Sequence, residues 1–269
     1  VIDVRSIEEL LLRLREISVT KKGSIDLQEK SSATVRCKHC GDRGIILQEG
    51  VARVCSCVQQ RYREKLYREA NLTPEIRSCS FEGFRLDYYE GEHREAALRA
   101  LQGAKQFVHE YLRNPRIPGI LFTGDVGAGK TYLAAAIANF LLEHCVQVLF
   151  LVVPDFLDEL RATYHRASGD DQGVDDVTLL RKVRQVEVLI LDDLGVHNYT
   201  AWTCNKLYSL LNFRLNYQLP VIITTNLSLG ELDDVLGERT TSRIVQMCRI
   251  YRLSVDKDIR HLKNPRNER

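Results

Sequence analysis

No stretch of this sequence approaches the roughly 18–20 consecutive apolar residues that a membrane-spanning helix requires. The first residues, Val1-Ile2-Asp3-Val4-Arg5, also lack the basic-then-apolar order of a secretory signal. The cytoplasm is therefore the expected location, and no membrane is expected among the partners. One-sided charge is missing too. Lys and Arg number 38 against 36 Asp and Glu, a net +2, so composition does not announce a nucleic-acid binder and any basic surface must be local. No internal repeat is present. Without an export signal the 8 cysteines are not expected to form a disulfide framework.

What remains is an ordinary globular composition, 44% hydrophobic and 28% charged over 269 residues, enough for one medium core and a smaller appendage. Residues 6–17 read as an amphipathic helix. Ser6 and Glu9 have capping-box spacing, and Ile7, Leu10, Leu11, Leu14 and Ile17 share a face. That face packs either on its own domain or on a partner. Residues 18–36 are poor in large apolar side chains and read as a tether. A basic, helix-prone stretch follows the cysteine cluster around Arg61, Arg63, Lys65 and Arg68; alternation with Glu64 and Glu69 marks a solvated face.

From about residue 79 onward, buried strands alternate with helices. Strands are expected at Ile120–Thr123, Val146–Val153, Val186–Leu191 and Val221–Thr225, with Pro220 tolerated at the start of the last. Helices are expected at Thr131–Glu143, Phe156–His165 and Trp202–Leu215, with Ser228 and Glu231 capping another. The polar, aspartate-rich segment His165–Val177 reads as a mobile loop. Continuously apolar strands between helices imply a parallel sheet covered on both faces.

Gly124-Asp125-Val126-Gly127-Ala128-Gly129-Lys130-Thr131 matches G-x-x-x-x-G-K-[ST] between a buried strand and a helix. Glycines let such a loop wrap phosphates with inward N–H groups, and the helix N-terminus adds partial positive charge. Lys130 is expected to reach the β- and γ-phosphates of ATP, and Thr131 to ligate Mg²⁺. A second apolar strand ends in Asp192-Asp193, at the strand end where ligands sit in open α/β sheets. Asp192 would hold Mg²⁺ and Asp193 would act as general base. Asn226, following Val221–Thr225, either orients the lytic water or, with Thr225, caps the next helix. Arg239 and Arg243 share a helix face; they form surface ion pairs, or one, with Arg243 preferred, is a finger for a neighbouring subunit's site.

Cys37, Cys40, Cys55 and Cys57 flank a hairpin-like stretch with a turn at Glu49-Gly50. Paired thiolates at both ends suit tetrahedral Zn²⁺ in a structural role, with His39 a competing ligand and a redox pair the alternative.

These residues together resemble the bacterial DnaC/DnaI-type replicative helicase loaders, with the IstB transposition ATPases as relatives. The likeness rests on Gly124–Thr131, Leu191-Asp192-Asp193-Leu194-Gly195, Thr224-Thr225-Asn226, Glu238–Ile244 and the Phe81-x-x-Phe84 element. It implies an α/β P-loop AAA+ domain at 79–269 with a five-stranded parallel sheet of order 5-1-4-3-2 and a short C-terminal lid. Residues 1–78 would form a zinc-binding, partner-docking module. By the same resemblance Lys130 and Thr131 are Walker A, Asp192 and Asp193 Walker B, Asn226 sensor 1 and Arg243 the trans finger. Phe81 or Phe84 would lie near adenine, and Arg260 would serve as sensor 2. Arg161, Tyr164 and Arg166 would touch single-stranded DNA, either as contacts or as an ordinary exposed face. The implied partners are a replicative hexameric DNA helicase, single-stranded DNA and further copies of the chain joined through the ATP site. A transposase helper and a nucleotide-gated switch with little turnover are the competing functions.

Overall fold

The computed structural model describes residues 36–48, 51–166, 180–196 and 199–260. The expected helix at 6–17, the tether, the Glu49-Gly50 turn and most of the loop at 165–177 lie outside them. The described residues divide after Cys55 into two compact units.

The smaller unit is a hairpin of β1 (Ile45–Gln48) and β2 (Val51–Val54), paired antiparallel with Ile45 opposite Val54 and Gln48 opposite Val51. Almost every side chain in it is exposed. Two short strands without a core do not hold together on apolar burial alone.

The larger unit begins with α1 (Ser56–Glu69) and a one-turn α2 (Pro74–Arg77). A long α3 (Gly91–Arg113) follows, then β3 (Gly119–Gly124), α4 (Lys130–Glu143), β4 (Val148–Val152) and α5 (Val153–Arg166). After a helical stretch at 180–185 come β5 (Val188–Asp192), α6 (Ala201–Asn216) and β6 (Val221–Thr225). The described chain closes with α7 (Leu229–Leu236), α8 (Glu238–Met247) and β7 (Cys248–Leu253). Residues 56–78, grouped on sequence grounds with the N-terminal module, place Leu66, Ala70 and Leu72 in the larger unit's core.

The five-stranded sheet has the order β4-β5-β6-β3-β7, and every pairing is parallel. Renumbered from β3, this is the expected 5-1-4-3-2. Successive residues of a strand point to opposite faces, and the core divides accordingly. Ile120, Phe122, Phe150, Ile190 and Ile222 meet α3 and α4 on one side. Leu121, Leu149, Leu151, Leu189, Leu191 and Ile223 meet α5, α6, α7 and α8 on the other. Burial on both faces explains why β3 to β6 are continuously apolar. The edge strand β7, Cys-Arg-Ile-Tyr-Arg-Leu, is only half buried.

Elements differ from expectation mostly at their ends. Helix α5 starts at Val153, three residues early, because Pro154 is tolerated in a first helical turn. Strand β5 starts at Val188, since Val186 still belongs to the turn closing the preceding helix through its N–H to Lys182 O at 3.0 Å. The far edge of the sheet is covered by chain: Phe150 N donates to Ala70 O at 3.0 Å, and Asn71 Nδ2 donates to Phe150 O at 3.1 Å. Among the described residues no helix is long and apolar enough to cross a membrane.

Candidate functional site

The glycine-rich loop leaves the buried end of β3 and turns directly into α4. Gly124, Gly127 and Gly129 all have positive φ, 126°, 72° and 82°, a region other residues enter only with strain. Space forbids side chains as well. A Cβ on Gly124 would collide with Leu253 O, and one on Gly127 with the Asp258 carboxylate. Both obstacles belong to the chain leaving β7, which braces the loop: Asp125 N donates to Leu253 O at 3.0 Å, Val255 N to Asp125 Oδ2 at 3.2 Å and Ile259 N to Gly127 O at 3.3 Å.

Lys130 is buried to 5% exposure, and its Nζ donates to Gly124 O at 2.9 Å and Asp125 O at 2.6 Å. The loop's own carbonyls satisfy the ammonium. Burial depresses its pKa, opposed by the nearby charges of Asp193, Asp125 and Asp192. Thr131 Oγ1 donates to Asp192 Oδ1 at 2.8 Å. The two positions expected to share Mg²⁺ therefore meet, although 61 residues separate them.

Asp192 is 4% exposed, and its carboxyl is pushed up to about 6, first by burial and also by the like charge of Asp193. Sequence reasoning missed the group that holds it. Thr224 Oγ1, on neighbouring β6, donates to Asp192 Oδ1 at 2.6 Å and accepts from Asp193 N at 3.0 Å. Asp193 sits at φ 56° and is only part-buried. Asn226 follows β6 and is part-buried. The helix-capping alternative for Thr225 and Asn226 fails: Ser228 caps α7 in a complete capping box with Glu231, while Thr225 Oγ1 donates to Leu194 O at 2.6 Å.

Beside the loop lies a small cleft lined by Phe84, Tyr88, Tyr89, Gly129, Tyr132 and Ile259. Phe84 packs on Tyr89 and Tyr132 with ring centroids 5.6 and 6.0 Å apart. Phe81 turns elsewhere, against Phe140 at 5.9 Å, so of the two phenylalanines Phe84 is the one beside the loop.

A sequence profile described as "IstB-like ATP binding protein" matches residues 60–264. The chain belongs to this family. The replicative helicase loader DnaC of Escherichia coli (strain K12) is 28% identical over 200 residues, covering 73% of this chain and 76% of that protein. The phage-like element PBSX protein XkdC of Bacillus subtilis (strain 168) is 28% identical over 238 residues, 83% of each. Among solved structures, a crystal structure of DnaI aligns at a TM-score of 0.57 and 28% identity over 68% of this chain and 95% of that one. The DnaC helicase loader aligns at 0.56 and 26%, over 67% and 99%. The larger unit of this IstB-like protein thus has the AAA+ fold.

The remaining expected positions of the IstB-like chain lie on other elements. Arg243, on α8, donates to Gln246 Oε1 at 3.1 Å, while its Nε is buried without a partner among the described residues. Among the described residues neither Arg239 nor Arg243 pairs with a carboxylate, so the surface ion-pair alternative is not realised among them. Arg260 is clamped by Asp258, with contacts of 2.7 and 3.1 Å to Oδ2 and 3.1 Å to Oδ1. Its charge is still felt at Lys130 and Asp193. Arg161 contacts Asp158 at 3.4 Å on α5; the side chains of Tyr164 and Arg166 lie outside the described residues.

The Sγ atoms of Cys37, Cys40, Cys55 and Cys57 all lie within 4.8 Å of one another, with Cys37 and Cys55 3.7 Å apart. Four thiolates around one zinc at about 2.3 Å are separated by about 3.8 Å, so the residues fit the metal. Among the described residues none of the four is in a disulfide bond. The Gly44 N–H donates to Cys40 Sγ at 3.3 Å, the kind of bond that stabilises a metal-bound thiolate. His39 is exposed and not part of the cluster.

Proposed function

We propose that this chain is an ATPase that binds a replicative hexameric DNA helicase and delivers it to single-stranded DNA. The observation that carries the ATPase reading is the direct Thr131–Asp192 hydrogen bond at 2.8 Å. It brings the helix-start hydroxyl and the strand-end carboxylate to one point beside the loop's phosphate cradle, so Thr131 and Asp192 are the residues that would hold Mg²⁺. Mg²⁺ at that point would neutralise charge developing on the phosphoryl oxygens.

The chain's own residues divide the work. The loop amides of Gly124–Thr131 and the α4 N-terminus bind the polyphosphate. Lys130 exchanges its two carbonyl partners for phosphate oxygens. Asp193, part-exposed and turned out of β5 by its left-handed backbone, accepts the proton of the attacking water, and Asn226 orients that water. Phe84 walls the base. Arg243, with no carboxylate partner among the described residues, completes the site of an adjacent copy. The four cysteines hold structural Zn²⁺ in the module that docks the helicase, and the cytoplasm is where these partners meet. The loader reading leans on the likeness to DnaC and DnaI, proteins whose names state that role for DnaC.

The test measures ATP binding, ATP turnover with and without single-stranded DNA, and co-elution with the source organism's replicative helicase. The expected results are DNA-stimulated turnover and a stable helicase complex. Lys130→Ala should weaken ATP binding by at least about tenfold, the scale of a lost charge-assisted contact. Unchanged ATP affinity in that variant overturns the nucleotide reading, and failure to bind the helicase overturns the loader reading.

A further inference from the structure

Resting on the nucleotide reading above, we infer that Tyr89 is a positioning residue for the phosphate loop, its hydroxyl setting the orientation of the Ala128–Gly129 peptide. Tyr89 follows the 3₁₀ turn at Leu86–Tyr88, well upstream of the loop motif. It is 3% exposed, and its hydroxyl donates to Ala128 O at 2.9 Å. Ala128 itself is fully buried. The phenol sits directly against the next residue: a Cβ on Gly129 would lie 2.8 Å from Tyr89 Oη and 3.0 Å from Phe84 Cε2.

The consequence follows from peptide geometry. No peptide bond in the described chain is cis, and in a trans peptide the C=O of one residue and the N–H of the next point in opposite directions. A hydroxyl that draws the Ala128 carbonyl toward the aromatic cluster therefore directs the Gly129 N–H away from it, to the side where the loop's amides converge on phosphate. Gly129 has φ 82° and can be held in that orientation without backbone strain. The hydroxyl is a dependable donor, because burial holds its proton on well above the usual tyrosine range.

The same side chain lines the cleft that would receive the base, through its contact with Phe84. Tyr89 thus links two subsites by one covalent ring: the face walls the cleft and the hydroxyl aims the loop. Phenylalanine at this position keeps the wall and loses the aim.

The experiment compares parent, Tyr89→Phe, Phe84→Leu and Lys130→Ala for binding of ATP and of inorganic tripolyphosphate, each displacing a fluorescent ATP analogue. The Gly129 amide ¹⁵N resonance is recorded in the free proteins. For Tyr89→Phe both ligands should weaken by a similar factor of about 2–12, that expected for one net hydrogen bond, and the Gly129 resonance should move. Phe84→Leu should weaken ATP and leave tripolyphosphate unchanged. If Tyr89→Phe weakens ATP alone, Tyr89 is only a wall of the base cleft and the inference falls. It falls equally if both affinities and the resonance match the parent. Circular dichroism and the unfolding midpoint separate these outcomes from misfolding, and if Tyr89→Phe does not fold, the Gly129 resonance in Tyr89→Trp with its displaced donor decides the same question. Should the parent bind neither ligand, or Lys130→Ala bind both as well as the parent does, the nucleotide reading itself fails instead.

Discussion

Asp192 carries an unfavourable ionisation. Burial and Asp193 lift its pKa to about 6, above the roughly 3.9 of an unfolded aspartate. The folded state therefore binds a proton that the unfolded state has released between those values. Ionised Asp192 costs stability above pH 6, and the cost disappears below about pH 4, where both states are protonated. Asp192→Asn should accordingly unfold at higher denaturant concentration than the parent at pH 7.5, by on the order of 1–3 kcal/mol, with the gap closing by pH 4. Urea titrations at the two pH values check this, and a gap that persists at pH 4 contradicts it. Thr224 shows why such a site is only partly legible. The Leu191–Ile223 pairing brings Asp192 opposite Thr224, but that neighbour becomes visible only once β5 is known to lie beside β6.

At the scale of elements, Arg214 ties the start of two strands to the helix before them. It is fully buried on α6, and its guanidinium donates to Val183 O, Arg184 O, Val186 O, Glu187 O and Pro220 O, at 2.8–3.3 Å. Burial lowers its pKa to about 9. No carboxylate takes part in this cage of carbonyls. Arg214→Met would leave those carbonyls without their donor while relieving the burial of a cation, a net loss of about 2–4 kcal/mol. Chemical denaturation measures it, and a neutral effect would show that water replaces the guanidinium. Periodicity cannot find such a residue, since an arginine among Leu210, Leu211 and Leu215 reads as a surface position. The strands and α4 were readable because apolar runs and an Ala/Leu-rich helix have one physical meaning in a covered sheet. The cap formed by Ser228 with Glu231 was readable too, because a capping box is local, whereas the start of β5 was not, because it depends on the turn at Val186.

At the scale of the whole molecule, two predictions concern parts proposed to act through a metal or another copy. The hairpin exposes Leu47, Val51 and Val54 at 77%, 56% and 63%, so on the proposed reading a structural zinc would supply what a core would. One zinc per chain should be found, and a strong chelator or Cys40→Ser should abolish amide-exchange protection in residues 36–55 while the sheet keeps its protection. Retained protection after metal loss would count against a structural zinc. For Arg243, mixing is decisive. On the proposed reading Lys130→Ala binds nucleotide weakly but keeps the Arg243 finger, whereas Arg243→Ala binds ATP but lacks it. Each should be nearly inactive alone, by about 10³-fold or more, and the mixture should recover turnover. A mixture no more active than its components shows that Arg243 does not act across subunits.

By itself, the sequence determined the chemistry that spacing alone encodes. A glycine-rich octapeptide between strand and helix, two acids ending an apolar strand and four clustered cysteines require no knowledge of distant contacts. Tertiary structure decided everything that depends on non-local neighbours. It chose Phe84 over Phe81 beside the loop, seated Thr224 on Asp192, braced Gly124 and Gly127 with the chain after β7, and hung Ala128 from Tyr89. Those contacts join residues 32 to more than 100 positions apart, and the order of strands in the folded sheet brings them together.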